Sequence, residues 1–217
     1  MITLYDYFRS SAAFRVRIAL NIKDIAYTAI PISLVNNGGE HLKEEYSEIN
    51  SQHLVPSLVT EDNHILTQSL AIIAYLEETH PQPSVMPTTA LLRAKAREIA
   101  MIIACDTHPI NNMRVLKYVT NILHHSEEEK MAWYFHWVNE SFDAIESILQ
   151  RDNTKGKCCI GETPTLADLC LIPQVYNARR FNIPMDNYPK IIKIADYCLT
   201  LPAFIKALPE NQADAGS

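Results

Sequence analysis

Residues 2–20 decide the fold and read ITLYDYFRSSAAFRVRIAL. The stretch begins with a short β-prone run at residues 2–5 and passes through Ser10-Ser11 into residues 12–21, where apolar side chains recur three and four positions apart. That spacing is typical of a helix with one buried face. Serine is a preferred residue at a helix start, because its hydroxyl oxygen accepts a hydrogen bond from a free amide of the first turn. The stretch therefore predicts a strand that leads directly into a serine-capped helix.

The following residues continue the alternation of strands and helices. A second strand is predicted at residues 27–32, and two further strands at 57–60 and 65–67 are joined as a hairpin. Ser69 opens a second helix, in which Ile72, Ile73 and Leu76 are expected to be buried. The predicted order is β-α-β followed by β-β-α, which is an α/β arrangement.

A proline-rich segment separates this region from one that is entirely helical. Residues 80–87, HPQPSVMP, hold three prolines, and proline cannot continue a helix. From Thr88 onward the periodicity is helical, and the capping boxes SEEE at 126–129 and TLAD at 165–168 each open a helix. The sequence thus predicts an α/β N-terminal domain at 1–80, a linker at 81–87 and an all-α C-terminal domain at 88–217.

Composition and charge exclude several classes of protein. The 217 residues are 47% hydrophobic and 20% charged, which excludes intrinsic disorder. A net charge of −6 disfavours a nucleic-acid partner, and the chain contains neither GxGxxG nor a P-loop. No apolar run approaches the roughly 18 residues of a membrane span, and the N-terminus does not read as a secretory signal. Five scattered cysteines predict reduced thiols in a cytoplasmic protein, and the histidines lack the spacing of a metal site.

The first candidate functional feature is Ser10-Ser11 at the junction of strand and helix. A helix N-terminus carries free amides and partial positive charge, so it stabilises anions, thiolates included. Thioredoxin-like units place a redox cysteine at this junction, but here the residues are serines and alanines. A serine hydroxyl could instead donate a hydrogen bond to a thiolate that a ligand supplies. The alternative is that the serines only cap the helix, and spacing alone favours the cap.

Two further features are weak by themselves. Val55-Pro56 precedes a strand, where a cis-proline would turn the Val55 backbone toward a ligand that pairs like an added strand. Ser69 follows Gln68 at a helix start, which is a natural carboxylate site. Arginines also cluster near the first predicted helix and after residue 178, and arginine binds carboxylates through two parallel hydrogen bonds. A solvated surface position is the default for any single one of these arginines: Arg9, Arg15, Arg17, Arg179 and Arg180.

Taken together, four stretches resemble the zeta class of glutathione transferases, the maleylacetoacetate isomerases. They are YFRSSAAFRVRIAL at 7–20, the residues from Asn50 to Pro56, QSLAIIAYLEE at 68–78, and ADLCLIPQVYNA at 167–178 with Arg180-Phe181 after it. The likeness spans nearly the whole chain, and the serine-arginine run at 10–17 is its most class-specific part. It implies a glutathione transferase fold, with a thioredoxin-like N-terminal domain, an all-helical C-terminal domain and a homodimeric assembly.

The resemblance also implies how glutathione is bound. Ser10 matches the catalytic serine that stabilises the glutathione thiolate, and Ser11 with the amides beside it lies at the same helix end. Val55 should pair with the cysteinyl backbone, and Gln68 with Ser69 should hold the γ-glutamyl carboxylate. The full set of implied glutathione-binding residues is Ser10, Ser11, Ala12, Arg15, His41, Val55, Pro56, Gln68, Ser69, His108, Asn112 and Arg114. The chain departs from the family at His41 and His108, where glutamine is common, at Ala12, usually cysteine, and at Phe14, usually tryptophan.

For the substrate, the resemblance implies a dicarboxylate held by Arg9 and Arg180. The leading functional hypothesis is glutathione-dependent cis–trans isomerisation of maleylacetoacetate to fumarylacetoacetate in tyrosine and phenylalanine catabolism. Three alternatives stay open: isomerisation of maleylpyruvate, general conjugation of glutathione to electrophilic or halogenated acids, and a non-catalytic interaction protein with a transferase-like fold. In each enzymatic case we expect a locally basic pocket in an acidic protein.

Overall fold

The computed structural model of the protein describes residues 1–152 and 155–216. Its contacts divide the chain into two compact units. The first unit contains Met1–Val85 together with the described residues from Leu199 onward, and the second contains Met86–Cys198. We describe each unit by itself.

The first unit is built on a four-stranded sheet in the order β2-β1-β3-β4. Strand β2 runs parallel to β1, whereas β3 is antiparallel to both β1 and β4. The elements of residues 1–85 are β1 (Ile2–Asp6), α1 (Ser11–Ile22), β2 (Tyr27–Pro31), α2 (Glu44–Ser47), β3 (Ser57–Val59), β4 (Ile65–Thr67) and α3 (Ser69–Thr79). The sequence prediction of an α/β region with this order of elements is confirmed.

Strand directions bring three loops to one edge of the sheet. In the register, Ser57 at the start of β3 lies opposite Tyr5 near the end of β1 and opposite Thr67 at the end of β4. Antiparallel pairing places the end of one strand beside the start of its neighbour. The loop after β1, the residues before β3 and the first turn of α3 therefore lie side by side, although up to about sixty positions separate them in sequence.

Helices α1 and α3 contact each other and contribute apolar side chains to the core of this unit. Helix α1 buries Phe14, Val16 and Ile18, and the predicted burial of Ile72, Ile73 and Leu76 in α3 is confirmed. Helix α1 also buries two arginines that the sequence analysis placed by default at the surface.

The described residues of the second unit form helices and no strand, as the sequence predicted. Its helices are α4 (Ala90–Met101), α5 (His108–Ile110), α6 (Met113–Asn121), α7 (Glu127–Arg151), α8 (Leu166–Arg180) and α9 (Pro189–Cys198), with a π-helical turn at Ile102–Thr107 between α4 and α5. Both predicted capping boxes are present, at the starts of α7 and α8. Helix α8 is buried along most of its length, which agrees with its apolar sequence. Among the described residues, no helix has both the length and the apolar character that a membrane crossing needs.

The division between the units falls inside the predicted linker, between Val85 and Met86. The described residues from Leu199 onward, however, belong to the first unit, although the sequence analysis assigned them to the helical domain. They form α10 (Pro202–Ala207), which packs on α1, and the Asn21 amide donates to the Ala203 carbonyl at 3.0 Å. Helical periodicity shows that a short helix has a buried face, but not which unit covers that face.

Candidate functional site

The loop between β1 and α1 is a tight turn that ends at Ser10. The Ser10 amide donates to the Tyr7 carbonyl at 2.8 Å, and the Ser10 hydroxyl oxygen accepts from the Ala13 amide at 3.2 Å. Ser10 is therefore the N-cap of α1, the role that its spacing favoured. Since the oxygen accepts in this bond, the hydroxyl proton remains available for donation to a second group. Capping and thiolate stabilisation are thus compatible roles for one side chain.

The first turn of α1 provides an electrostatic environment that favours a bound anion. It holds no acidic residue, and its free amides follow Ser10 directly. Ser11 is buried and Ala12 is half-buried at this end. Free amides and the partial positive charge of a helix N-terminus stabilise a negative group within the first turn. The arrangement suits a thiolate next to the Ser10 hydroxyl.

The residues before β3 are held in place by two side chains that are not among the site residues predicted from the sequence. The Tyr46 hydroxyl donates to the Leu54 carbonyl at 2.6 Å, and the Asn50 amide donates to the same oxygen at 2.7 Å. Val55 is buried, and its peptide bond to Pro56 is cis, as expected. Burial raises the pKa of Tyr46, so its hydroxyl stays protonated. The Val55 backbone is consequently presented at the sheet edge by a supported loop.

The start of α3 carries a buried positive charge. Arg15 of α1 is only 1% exposed, and its Nη1 donates to the Ser69 hydroxyl at 3.3 Å. Gln68, which has a φ of 69°, donates from its side-chain amide to the Gln52 side chain at 2.8 Å. A helix N-terminus, a hydroxyl and a guanidinium together are complementary to a carboxylate. The default expectation that Arg15 is solvated at the surface was therefore wrong. The burial of Arg15 beside Ser69 supports the predicted carboxylate site at Gln68-Ser69.

Arg17 was also expected by default at the surface, but it lies in the core. It is fully buried and binds both oxygens of Asp6, at 2.7 and 2.8 Å. Its remaining donors reach the Phe8 carbonyl at 3.0 Å and the Ala207 carbonyl at 3.0 Å. Desolvation by burial raises the pKa of Asp6 despite the opposing effect of Arg17. Arg17 therefore stabilises the unit internally and is not a substrate ligand.

Two other candidates of the first unit lie beside this edge. Arg9 is exposed in the β1–α1 loop, with its guanidinium carbon 4.7 Å from the centre of the Phe8 ring. His41 is half-buried in the segment that follows β2, and its carbonyl oxygen lies 3.0 Å from Nδ1 of His53. His53 in turn belongs to the loop before Val55. The candidates of the first unit are therefore gathered at one sheet edge.

The remaining candidates belong to the second unit. His108 is the first residue of α5, and Asn112 caps α6 by accepting from the Arg114 amide at 3.1 Å. Arg180, at the end of α8, lies with its guanidinium carbon 4.4 Å from the centre of the Phe181 ring. Its neighbour Arg179 is instead paired with Asp196 at 2.6 Å, which removes Arg179 from the candidates for substrate binding.

Helix α7 links these two parts of the second unit. Trp133 donates from its indole nitrogen to the Ile110 carbonyl at 3.2 Å, next to His108 and Asn112. The adjacent Tyr134 packs its ring 4.7 Å from that of Phe181, beside Arg180. Burial raises the pKa of Tyr134 to about 12, with Arg180 acting in the opposite direction. Both parts are accordingly fixed by consecutive residues of one helix.

Among the described residues, one group of side chains has potential metal-ligating atoms close together: Cys158, Asp168 and Cys198. The Asp168 carboxylate already accepts from the Cys159 amide and the Thr165 amide, each at 2.7 Å, and so caps α8. Interaction with Cys158 and burial raise the pKa of Cys198, so the thiol stays protonated. These contacts explain the group as part of the core around the capping box.

Comparisons with known proteins place these features in a family context. The family model described as the glutathione S-transferase N-terminal domain matches residues 4–84. A probable maleylacetoacetate isomerase of Vibrio cholerae is 46% identical over 212 residues, which cover 98% of this chain and 97% of the relative.

Two solved structures are similar over nearly the full length. The holo structure of a maleylpyruvate isomerase, a bacterial glutathione transferase of the zeta class, aligns with a TM-score of 0.94 at 40% identity, covering 99% of this chain and 100% of the other. A maleylacetoacetate isomerase from Methylobacterium extorquens, with bound malonate and glutathione, aligns with a TM-score of 0.94 at 36% identity, covering 99% and 100% respectively.

Proposed function

This chain belongs to the zeta class of the glutathione transferase family, and from that premise we propose that it is a glutathione-dependent isomerase that converts maleylacetoacetate to fumarylacetoacetate. The single observation that carries the proposal is the geometry of Ser10. It caps α1 through its oxygen, keeps a proton to donate, and lies at the sheet edge beside Val55 and Ser69.

The residues of the sheet edge fit glutathione, which is an extended peptide with a thiol and two carboxylates. The Val55 backbone would pair with the cysteinyl part, and Arg15, Gln68 and Ser69 would hold the γ-glutamyl carboxylate at the start of α3. Ser11, Ala12 and Pro56 would contribute to the same surface, and His41 would face the glycyl end. When bound, glutathione supplies a nucleophilic thiol that adds to the conjugated double bond, permits rotation about it and is then released.

Ser10 and α1 would keep that thiol in its reactive ionised form. A free thiol titrates near pH 8.5, so only a small fraction is ionised at neutral pH. A hydrogen bond from the Ser10 hydroxyl and the free amides of the first turn favour the anion over the neutral thiol. The serine thus acts as a donor to a nucleophile and not as a nucleophile itself.

Arginines would bind the two carboxylates of the substrate. From the resemblance to the zeta class we propose Arg9 and Arg180 for this role. Both side chains are exposed, and each guanidinium carbon lies less than 5 Å from an aromatic ring centre, at Phe8 and Phe181 respectively. Positive charge near the substrate would also stabilise the enolate that develops on addition. His108, Asn112 and Arg114 stay proposed glutathione contacts, as the resemblance to the zeta class implies.

Maleylpyruvate is the second candidate substrate, favoured by the likeness to the maleylpyruvate isomerase structure. The chemistry is the same on a shorter diacid. We further propose that the protein is a cytoplasmic homodimer that acts in tyrosine and phenylalanine catabolism. Five free thiols in the described residues agree with the reducing conditions of the cytoplasm.

A substrate panel tests the proposal. Initial rates are measured with glutathione on maleylacetone as a stable analogue of maleylacetoacetate, on maleylpyruvate and on a halogenated acid, and glutathione binding is measured separately by calorimetry. We expect the highest kcat/KM on maleylacetone. A preference for maleylpyruvate supports the second candidate, and conjugation without isomerisation indicates a general transferase. Absence of glutathione binding would identify an interaction protein and overturn the proposal.

A further inference from the structure

The segment that follows α10 folds back and is held by its own hydrogen bonds. The side-chain amide of Asn211 donates to the Ile205 carbonyl at 2.7 Å. The side-chain amide of Gln212 donates to two carbonyls, those of Lys206 at 2.9 Å and Leu208 at 2.8 Å. The small, polar residues at 210–217 predict a frayed segment. Instead its described residues turn at the end of α10 and continue over the first unit.

The same segment reaches the loop that carries Ser10. The Asp214 carboxylate accepts a hydrogen bond from the Phe8 amide at 3.1 Å, across 206 positions of sequence. Ala215, next to it, packs against the apolar cluster that contains Phe8, Tyr46 and Val55. The segment therefore contacts both the β1–α1 loop and residues that support the loop before β3.

The Phe8 peptide is consequently held from both sides. Its amide donates to Asp214, and its carbonyl accepts from Arg17 at 3.0 Å. Arg17 itself is fixed by Asp6 and by the Ala207 carbonyl. Phe8 is the second residue of the turn that closes when the Ser10 amide binds the Tyr7 carbonyl. A shift at Phe8 would therefore be transmitted to Ser10 through two peptide units.

We propose that Asp214 is a positioning residue for catalysis: by holding the Phe8 amide, it fixes the Ser10 hydroxyl for the thiolate and the Arg9 guanidinium for the substrate. The inference rests on the proposed function. Arg9 depends on the same contact because its guanidinium lies over the Phe8 ring. A displacement of about 1 Å at a catalytic group can lower the rate by roughly a hundredfold.

Charge and position act in opposite directions here, which makes the role testable. The negative charge of Asp214 disfavours a nearby thiolate, so loss of the charge alone would make the bound thiol more acidic. Loss of the hydrogen bond to Phe8 would displace Ser10 and make the bound thiol less acidic. Asp214→Asn removes the charge but retains an oxygen that accepts from the Phe8 amide, whereas Asp214→Ala removes both.

The experiment compares Asp214→Ala, Asp214→Asn and Asn211→Ala with the unaltered protein. Asn211→Ala is the matched control, because it weakens the same segment without touching Phe8. Ultraviolet absorbance of bound glutathione is followed against pH to give the pKa of its thiol, and kcat and KM are measured for isomerisation. We expect Asp214→Ala to lower kcat/KM roughly ten- to a hundredfold and to raise the pKa of the bound thiol. Asp214→Asn should stay within about threefold in kcat/KM, and Asn211→Ala should match the unaltered protein.

Three results would overturn the inference. One is a bound-thiol pKa that is the same in Asp214→Ala and Asp214→Asn, which both lack the charge, together with a lower melting temperature of Asp214→Ala, which would show a purely structural role. Another is equal loss of kcat/KM in Asp214→Ala and Asn211→Ala, and a third is equal loss in Asp214→Ala and Asp214→Asn. If the unaltered protein does not bind glutathione, or does not ionise the thiol of bound glutathione, the proposed function fails instead.

Discussion

At the scale of single residues, the hydroxyl group of Ser10 caps a helix and is also the group for which we propose a chemical role. Its oxygen closes the first turn of α1, and its proton is available for a ligand. The position of Ser10 in the sequence indicated both roles but favoured the cap, whereas the resemblance to a family favoured the role toward a thiolate. The structure makes the two roles compatible, because accepting from Ala13 leaves the donor function of the hydroxyl intact.

Substitution of Ser10 separates the two roles. Ser10→Ala should lower kcat/KM about a hundredfold or more, the size expected when a donor to a developing anion is lost. It should also lower the free energy of unfolding by about 1 kcal/mol through loss of the cap. Ser126→Ala is the matched control, since Ser126 caps α7 in the same way. Equal activity loss in both variants, measured by initial rates, would assign Ser10 to stability only.

The pair Arg179 and Arg180 offers a control within two adjacent positions. Arg180→Ala should raise KM for the diacid roughly ten- to a hundredfold, because a charge-assisted contact with a carboxylate contributes about 1.5–3 kcal/mol. Arg179→Ala breaks only the exposed ion pair with Asp196 and should leave KM unchanged. If steady-state kinetics show the larger effect for Arg179→Ala, the assignment of the substrate arginine is incorrect.

At the scale of elements, the sheet register is what brings together the residues of the proposed glutathione site. Three loops meet because β1 and β4 end where β3 begins, and Tyr46 and Asn50 hold the residues before β3. The loop before Val55 accordingly depends on a hydroxyl of α2 that belongs to no catalytic motif.

Removal of that hydroxyl should weaken the loop. Tyr46→Phe leaves the ring in the core but deletes the donor to the Leu54 carbonyl, so the free energy of unfolding should fall by about 1–2 kcal/mol. The glutathione Kd should rise, while kcat at saturating glutathione should change little. Tyr5→Phe, which alters the ring neighbour of Tyr46, is the control. Calorimetric titration that gives the same Kd for both variants would contradict this role of the loop.

Local patterns predicted the elements well, because strand alternation, helix periodicity, caps and prolines depend on neighbours within a few residues. The burial of Arg15 and Arg17 could not be predicted in this way. Their partners lie 54 residues away at Ser69, and 11 and 190 residues away at Asp6 and Ala207. An arginine in a helix has the same local sequence whether it faces solvent or a buried carboxylate, so the default to the surface failed where distant partners decide.

At the scale of the whole molecule, the free energy of unfolding should fall at alkaline pH because buried tyrosines lose their protons there. Burial raises the pKa of Tyr134 to about 12 from an ordinary value of 10. The unfolded chain therefore loses this proton first, and the stability that Tyr134 contributes is complete below pH 10 and is lost as the pH rises toward 12. The loss is on the order of 2–3 kcal/mol. Tyr134→Phe should reduce the decline, above pH 10, of the free energy of unfolding measured with urea. The same decline in the variant as in the unaltered protein would show that Tyr134 does not cause it.

The assignment of the C-terminal helix is a second feature of the whole molecule that periodicity could not supply. Helix α10 and the segment after it pack on the first unit, so residues far along the chain support the loop at Ser10. The resemblance to a family predicted the site residues that lie in motifs, but not the supporting contacts of Asp214, Arg17 and Tyr46.

The central claim is that the chain isomerises a maleyl diacid only through the thiol of glutathione. The most direct test follows maleylacetone conversion with no thiol, with glutathione and with S-methylglutathione, which retains the peptide but has no free thiol. We predict turnover with glutathione and none above background in the other two reactions, and S-methylglutathione should inhibit competitively. Equal turnover without glutathione, or with S-methylglutathione, would contradict the account.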